Sequence, residues 1–187
     1  MTKIIFFLGR PGSGKGTQID YLEKSTGFKV IRTGELLRKK ATEDDFLGKK
    51  TKEALSEGAL IPTPLVFLIW MPLLVRFREE GVPGVIFDGN PRKLYEAKML
   101  EELFTMFGWS NLTALHLNIS PEEARRRMLA RGRQDDNEKE IANRLSWFEE
   151  EVMPVVENYN QEGKLIDVNG EQSVEQVWEE IKEKLGE

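Results

Sequence analysis

The sequence predicts an α/β fold in which a five-stranded parallel sheet is flanked by helices. Three observations predict it. A short apolar, β-branched run, Lys3-Ile4-Ile5-Phe6-Phe7-Leu8, leads into a glycine-rich loop and then into a segment with apolar residues at helical spacing. Four further apolar runs of strand length alternate with helical patterns along the rest of the chain. Helix-start signals stand before several of those patterns.

Taken in order, Lys3–Gly9 reads as strand and Lys15–Ser25 as helix, followed by a short strand at Phe28–Ile31. Gly34–Ala41 reads as helix with Thr33 as its cap, and Asp45–Ser56 as another that ends near Gly58. Pro64 suits the first position of the next helix, capped by Thr63, which runs toward Glu80 and stops at Gly81. Pro72 lies inside it and predicts a kink or break. Gly84–Asp88 is a strand, Lys93–Phe107 a helix and Leu112–Ile119 a strand. Ser120-Pro121-Glu122-Glu123 reads as a capping box opening a helix to about Arg131. Asn137–Gln161 reads as one long helix capped by Asp136, and Lys164–Val168 as the last strand. Ser173-Val174-Glu175-Gln176 is a second capping box and opens the final helix.

The glycine-rich loop is Gly9-Arg10-Pro11-Gly12-Ser13-Gly14-Lys15-Gly16-Thr17. Between a strand and a helix, this is a phosphate-binding loop. Gly12, Gly14 and Gly16 let backbone N–H groups close around an anion, and the following helix aims its positive end at the same point. Lys15 adds a full charge for the outer phosphates. Gly16 stands where most such loops place a magnesium-binding hydroxyl, and Thr17 comes one residue later. A metal therefore relies on water and on distant carboxylates. Asp88, at the end of its strand, is the natural magnesium ligand through water.

A length of 187 residues fits one domain with small mobile inserts. At 40% hydrophobic and 32% charged residues the composition is that of a soluble globular protein. The net charge of −5 argues against nucleic acid as a partner. The absence of cysteine excludes disulfides and cysteine zinc sites and fits a reducing, cytoplasmic setting. Met1 leads straight into strand, so no signal peptide is expected. The longest apolar run, Leu65 to Val75, is too short to span a bilayer, and no membrane partner is expected.

Phosphoryl transfer needs two phosphates held in line and the developing charge neutralised. Arg38, Arg92, Arg127, Arg131, Arg133 and Arg144 stand at loop or helix-end positions. Arg127 and Arg131, four apart, share a helix face, whereas Arg125 and Arg126 read as solvated surface charges. Arg92 follows the strand-ending turn Asp88-Gly89-Asn90-Pro91, beside the presumed site. Asp135 and Asp136 suit bracing of Arg131 and Arg133. His116, the single histidine, lies inside a strand and reads as structural.

These motifs together resemble the adenylate kinase family, over essentially the whole chain and in order. Gly9 to Gln18 is similar to that family's phosphate loop, including Gly16 before Thr17. Thr33-Gly34-Glu35-Leu36-Leu37-Arg38 resembles its acceptor motif, Gly58 to Pro62 its acceptor-nucleotide segment, and Asp88 to Arg92 its Asp-Gly-Phe-Pro-Arg turn. Arg127 to Arg144 resembles the lid and the helix after it. The resemblance implies a P-loop NTPase-type core, a mobile nucleoside monophosphate segment at about 32–61 and a short lid at about 130–137. It implies transfer of the terminal phosphoryl group of Mg-ATP to AMP by a monomer, with Lys15, Arg92, Arg127, Arg133 and Arg144 catalytic. Gly12, Ser13, Gly14, Lys15, Gly16 and Thr17 would hold ATP phosphates, Arg127 and Arg131 the ATP adenine and phosphates, and the backbone near Gln172 that adenine. Thr33, Arg38, Ala59, Leu60, Ile61, Gly89, Arg92, Glu96, Arg133 and Arg144 would hold AMP, with Mg2+ on Asp88 through water.

The chain departs from the family at three points. Asn90 replaces a phenylalanine, the lid between Arg131 and Arg133 is only Gly132, and Glu96 stands where a glutamine reads the acceptor adenine. A relaxed or GMP-tolerant acceptor site thus remains open beside AMP. So do a kinase of another small acceptor and a non-catalytic nucleotide sensor, which the Thr33, Arg38 and Arg92 set and intact Lys15 and Asp88 respectively oppose.

Overall fold

The computed structural model describes residues 2–56, 60–132 and 137–186. Its sheet has the strands β1 (Lys3–Leu8), β2 (Lys29–Ile31), β3 (Gly84–Asp88), β4 (Asn111–Asn118) and β5 (Leu165–Asn169), all parallel, in the order β2-β3-β1-β4-β5. The α/β fold with a five-stranded parallel sheet is as the sequence predicts. After β1 the chain crosses outward to β2 and β3 on one side, then to β4 and β5 on the other. Parallel sheets of this kind bind ligands at the carboxyl ends of the strands where the order reverses. β1 is that place, and its carboxyl end releases the glycine-rich loop.

β1 is central because both of its faces are apolar. Ile4, Phe6 and Leu8 pack on one side with Trp70, Leu74, Phe87, Leu100, Phe104 and Tyr159. Ile5 and Phe7 pack on the other with Ile19, Leu22, Val177 and Ile181. The period of two thus sends alternate residues into two cores. α4 (Thr63–Glu80), α5 (Leu94–Phe107) and α8 (Met153–Gln161) cover the first side, and α1 (Lys15–Thr26) with α9 (Val174–Leu185) the second. Ile119, Ala124, Met128 and Ile141 form a third cluster that ties α6 (Pro121–Arg131) to α7 (Glu138–Trp147). α2 (Thr33–Lys40) and α3 (Phe46–Ser56) follow β2.

Several local expectations are corrected. Thr33 is not a cap but the first residue of α2; Arg32 holds the cap position, and the Thr33 hydroxyl accepts from Trp70 Nε1 at 3.1 Å. Thr63 likewise lies inside α4, with its hydroxyl 2.7 Å from the Tyr95 hydroxyl and Pro62 at the cap. α4 runs unbroken through Pro72. Pro72 and Leu68 are exposed, so the carbonyl that proline leaves unpaired four residues back lies on the solvent side. Asn137, whose side chain accepts from Glu140 N at 3.0 Å, caps α7; Asp136 lies outside the described residues. Ser120 accepts from Glu123 N at 3.3 Å, but the Glu123 carboxylate turns to arginines instead of closing the box. The box at Ser173 and Gln176 is complete.

The long helix expected over Asn137–Gln161 is interrupted by a π-turn, Phe148–Val152. Pro154, inside the helical path, lacks the N–H for Glu150 and crowds its carbonyl, and a wider turn accommodates the loss. Among the described residues no helix is long and apolar enough to cross a membrane.

Candidate active site

The loop after β1 is shaped by close approaches. Gly9 has φ +144°, and a Cβ there would sit 2.6 Å from the Leu117 carbonyl oxygen. Gly12, at φ +87°, would place one 2.8 Å from the Ala124 carbonyl oxygen. A side chain at either position would push the loop off β4 or α6. Gly14 occupies the cap position of α1, so no side chain covers the N-terminus of that helix. Ser13 is buried.

Lys15 folds back over this loop. Its Nζ donates to the Gly9 carbonyl at 2.7 Å, the Arg10 carbonyl at 3.0 Å and Ser13 Oγ at 3.3 Å. Burial pushes its pKa down to about 8; Asp88 opposes that shift, while Arg92 and Arg131 add to it. The four side chains therefore share one electrostatic neighbourhood. Phe7 pairs in register with Asp88, and Gly89 N donates to the Phe7 carbonyl at 3.0 Å, which sets the β3 turn beside the loop.

Arg92 leaves that turn with Nε donating to the Gly89 carbonyl at 3.1 Å. Burial lowers its pKa, Glu96 and Asp88 raise it, and Arg144 lowers it further. Glu96 is 3% exposed, and its Oε2 accepts from Arg92 N at 2.5 Å and Asn90 Nδ2 at 3.4 Å. It is an anchored buried carboxylate, not a solvated helix glutamate.

A cleft of about 690 Å³ joins these parts. Of the expected residues, Lys15, Gly16, Arg38, Ile61, Asp88, Gly89, Arg92, Arg131 and Arg144 line it. A smaller cavity of about 20 Å³ lies against Thr33, Leu60, Ile61, Asn90, Arg92 and Glu96. That is room for about one water, too little for a nucleobase unless the walls rearrange. Arg127 and Gln172 line neither space. Arg127 Nε donates to Glu123 at 2.6 Å, and Arg126 with Arg127 holds the Glu123 carboxyl down to about 2. Gln172 Nε2 donates to the Asn169 carbonyl at 3.1 Å. Its neighbour Glu171 accepts from Ser120 N at 2.7 Å and feels the charge of Arg127, so the two belong to one rim. Thr17 is exposed on α1. Ala59, Arg133 and Asp135 lie outside the described residues.

His116 is buried, with Nδ1 2.7 Å from Asp167 Oδ1 and its ring stacked on Phe148. Burial lowers its pKa against the pull of Asp167. It lines neither space, in keeping with a structural role.

The sequence reading did not single out Arg32 or Trp147, which line the cleft. Arg32 Nη2 bonds Asp20 at 2.6 Å and Glu23 at 2.9 Å, tying the entry of α2 to α1. Trp147 sits three residues after Arg144, and that spacing on one helix was the available signal.

Six cations, Lys15, Arg32, Arg38, Arg92, Arg131 and Arg144, line the cleft against four carboxylates, Asp20, Glu35, Asp88 and Glu140, in a chain that is acidic overall. The adenylate kinase family profile matches residues 7–164. The chain belongs to the adenylate kinase family. It is 37% identical over 185 residues to an adenylate kinase of the cyanobacterium Prochlorococcus marinus, covering 99% of this chain and 100% of that one. It is 37% identical to adenylate kinase 1 of a Nostoc species over the full length of both chains. It is 36% identical to an adenylate kinase of Thermus thermophilus, covering 97% of this chain and 96% of the relative. Family membership makes the chain an ATP-dependent phosphotransferase.

Proposed function

We propose that this family member transfers the terminal phosphoryl group of Mg-ATP to AMP, giving two ADP, as a cytoplasmic monomer. The observation that carries the reading is the convergence of Lys15, Arg38, Arg92, Arg131 and Arg144 on one cleft opposite Asp88. Lys15 and Arg131 serve the donor phosphates beside the loop N–H groups. Arg38, Arg92 and Arg144 serve the acceptor phosphate, whose ionised oxygen attacks in line. That oxygen carries no proton to remove, so no general base is required. Thr33, Leu60, Ile61 and Glu96 enclose the acceptor base, with Ala59 and Arg133 completing the acceptor set. Arg127 and the backbone near Gln172 hold the donor adenine.

Asp88 fits magnesium as a single carboxylate. Among the described residues no three His, Cys, Asp or Glu side chains cluster for a metal. Magnesium keeps several waters and takes one or two carboxylates with substrate phosphates, which matches this donor set. When bound it neutralises phosphate charge and orients the chain of phosphates. A matrix of nucleoside triphosphate donors and monophosphate acceptors with product detection tests the reading. ADP formation from ATP and AMP supports it, and binding without product would make the protein a sensor.

Alanine at Arg92 or Arg38 is expected to raise the AMP KM or lower turnover by about tenfold or more, from the loss of a charge-assisted bidentate contact. ATP affinity should stay within about threefold. Loss of ATP affinity with an unchanged AMP response would mean that the donor and acceptor assignments are exchanged.

The site is also expected to leak. α6 ends at Arg131 on the cap Gly132, and Asn137 already caps α7. Only Gly132 separates Arg131 from Arg133, so little chain is available to cover the phosphates. Slow ATP hydrolysis without acceptor should therefore exceed the enzyme-free blank. A rate equal to the blank would show that other segments exclude water.

A further inference from the structure

Arg92 is held in an unusual manner for a phosphate-binding arginine. Among the described residues its one side-chain hydrogen bond is from Nε to the Gly89 carbonyl. The two terminal nitrogens, which form the fork that meets a phosphate, are not spent on a carboxylate there. The guanidinium carbon instead lies 5.3 Å from the centroid of the Trp147 ring. Trp147 ends α7, lines the cleft and is half-buried. Its Nε1 is enclosed without a hydrogen-bond partner among the described residues, so no polar contact of its own explains its placement.

We infer that Trp147 is a positioning residue for the acceptor phosphate, acting through the guanidinium plane of Arg92. The inference rests on the proposed transfer to AMP. A carboxylate would hold Arg92 as firmly, but it would occupy the in-plane donors and cancel the charge that the phosphate needs. An aromatic face restrains the plane from above and leaves all in-plane donors free. Restraint matters here because Arg144 and Lys15 repel Arg92 while no phosphate lies between them.

The next residue shows the contrast. Phe148 lies 5.1 Å from the guanidinium carbon of Arg10. Arg10, however, donates to the Ile119 carbonyl at 2.6 Å and to Glu149 at 2.8 Å, so its donors are committed. Both residues line the cleft, but Phe148 is buried whereas Trp147 is half-buried. Arg144 lies three residues earlier on the same helix, α7, and lines the same cleft.

The test is a double-mutant cycle of Trp147→Leu with Arg92→Lys, with Trp147→Phe as a conservative variant and melting temperature as the folding control. Trp147→Leu should raise the AMP KM or lower turnover by about three- to thirtyfold, the range of a partly desolvated cation–π contact. The ATP KM should stay within about twofold. Trp147→Phe should recover most of the loss, because a benzene face also attracts the cation. In the Arg92→Lys background the leucine change should cost less than about twofold. Should Trp147→Leu fail to fold, Trp147→Met takes its place in the cycle. Multiplying losses, equal changes in ATP and AMP KM, or a phenylalanine variant no better than leucine would overturn the inference. Wild-type protein that forms no ADP from AMP would overturn the functional reading beneath it instead.

Discussion

Replacing Lys15 with alanine should reduce phosphoryl transfer by at least about a hundredfold while leaving the protein folded. The magnitude is that of removing one preorganised charge from a reacting centre. The fold survives because the buried work around the loop is done elsewhere: Gly9 and Gly12 dock on β4 and α6, and Ile19 and Leu22 of α1 lie in the core. The lysine contributes hydrogen bonds to two loop carbonyls and to the Ser13 hydroxyl at the mouth of the cleft. Its depressed pKa adds a second signature. Near neutral pH it is protonated and can meet a phosphate. As pH rises through about 8 in the free enzyme the charge is lost. kcat/KM for ATP, which reports free-enzyme groups, should therefore fall above about pH 8, and the alanine variant should lose that limb. A folded Lys15→Ala protein with activity within threefold of wild type would remove the phosphate-loop assignment altogether.

The parts of this molecule that were legible in the sequence are those set by local chemistry. β1 reads as a buried strand because five successive apolar residues follow Lys3, and the glycines after it announce a backbone that must approach its neighbours closely. The capping box at Ser173 is a short-range pattern and forms as written. The parts that were not legible depend on partners distant in sequence. Thr33 has the chemistry of a cap, yet Trp70, thirty-seven residues away, takes its hydroxyl. Glu123 has the spacing of a capping box, yet two arginines on its own helix outbid one backbone N–H. The π-turn at Phe148–Val152 had a local signal in Pro154. The site shows the same division. Lys15, Asp88 and Arg92 were readable from motif and strand end, whereas the aromatic face over Arg92 comes from a helix fifty-five residues later.

AMP should be preferred over GMP, CMP and UMP as acceptor, by about a hundredfold or more for the mismatched purine, and Glu96 should set that preference. A site built to hydrogen-bond one edge rejects the wrong edge because buried polar groups are left unpaired. An ionised carboxylate can only accept. With both oxygens free, Glu96 would match the two adjacent donors of guanine. The structure leaves it fewer choices. Oε2 already accepts from Arg92 N at 2.5 Å and from Asn90 Nδ2 at 3.4 Å, so Oε1 is the oxygen left to meet a base. One acceptor suits the exocyclic amine of adenine and opposes a carbonyl oxygen at the same ring position. Asn90 is 2% exposed and lines the same cavity; its Nδ2 donates to Glu96, which leaves its second N–H as the one donor for the adjacent ring nitrogen, while its Oδ1 is buried without a partner among the described residues. Glu96→Gln, which restores the residue that reads adenine in the family, should widen the preference for AMP over GMP by about tenfold, because an amide can both accept from the adenine amine and donate to the ring nitrogen beside it. The measurement is kcat/KM for AMP, GMP, CMP and UMP with ATP, in the parent and in the variant. A strong AMP preference that the substitution leaves unchanged would take Glu96 out of base reading. GMP ahead of AMP in the parent protein would mean that guanine reaches both carboxylate oxygens after all, with Arg92 N–H released when the cavity walls rearrange to admit the base.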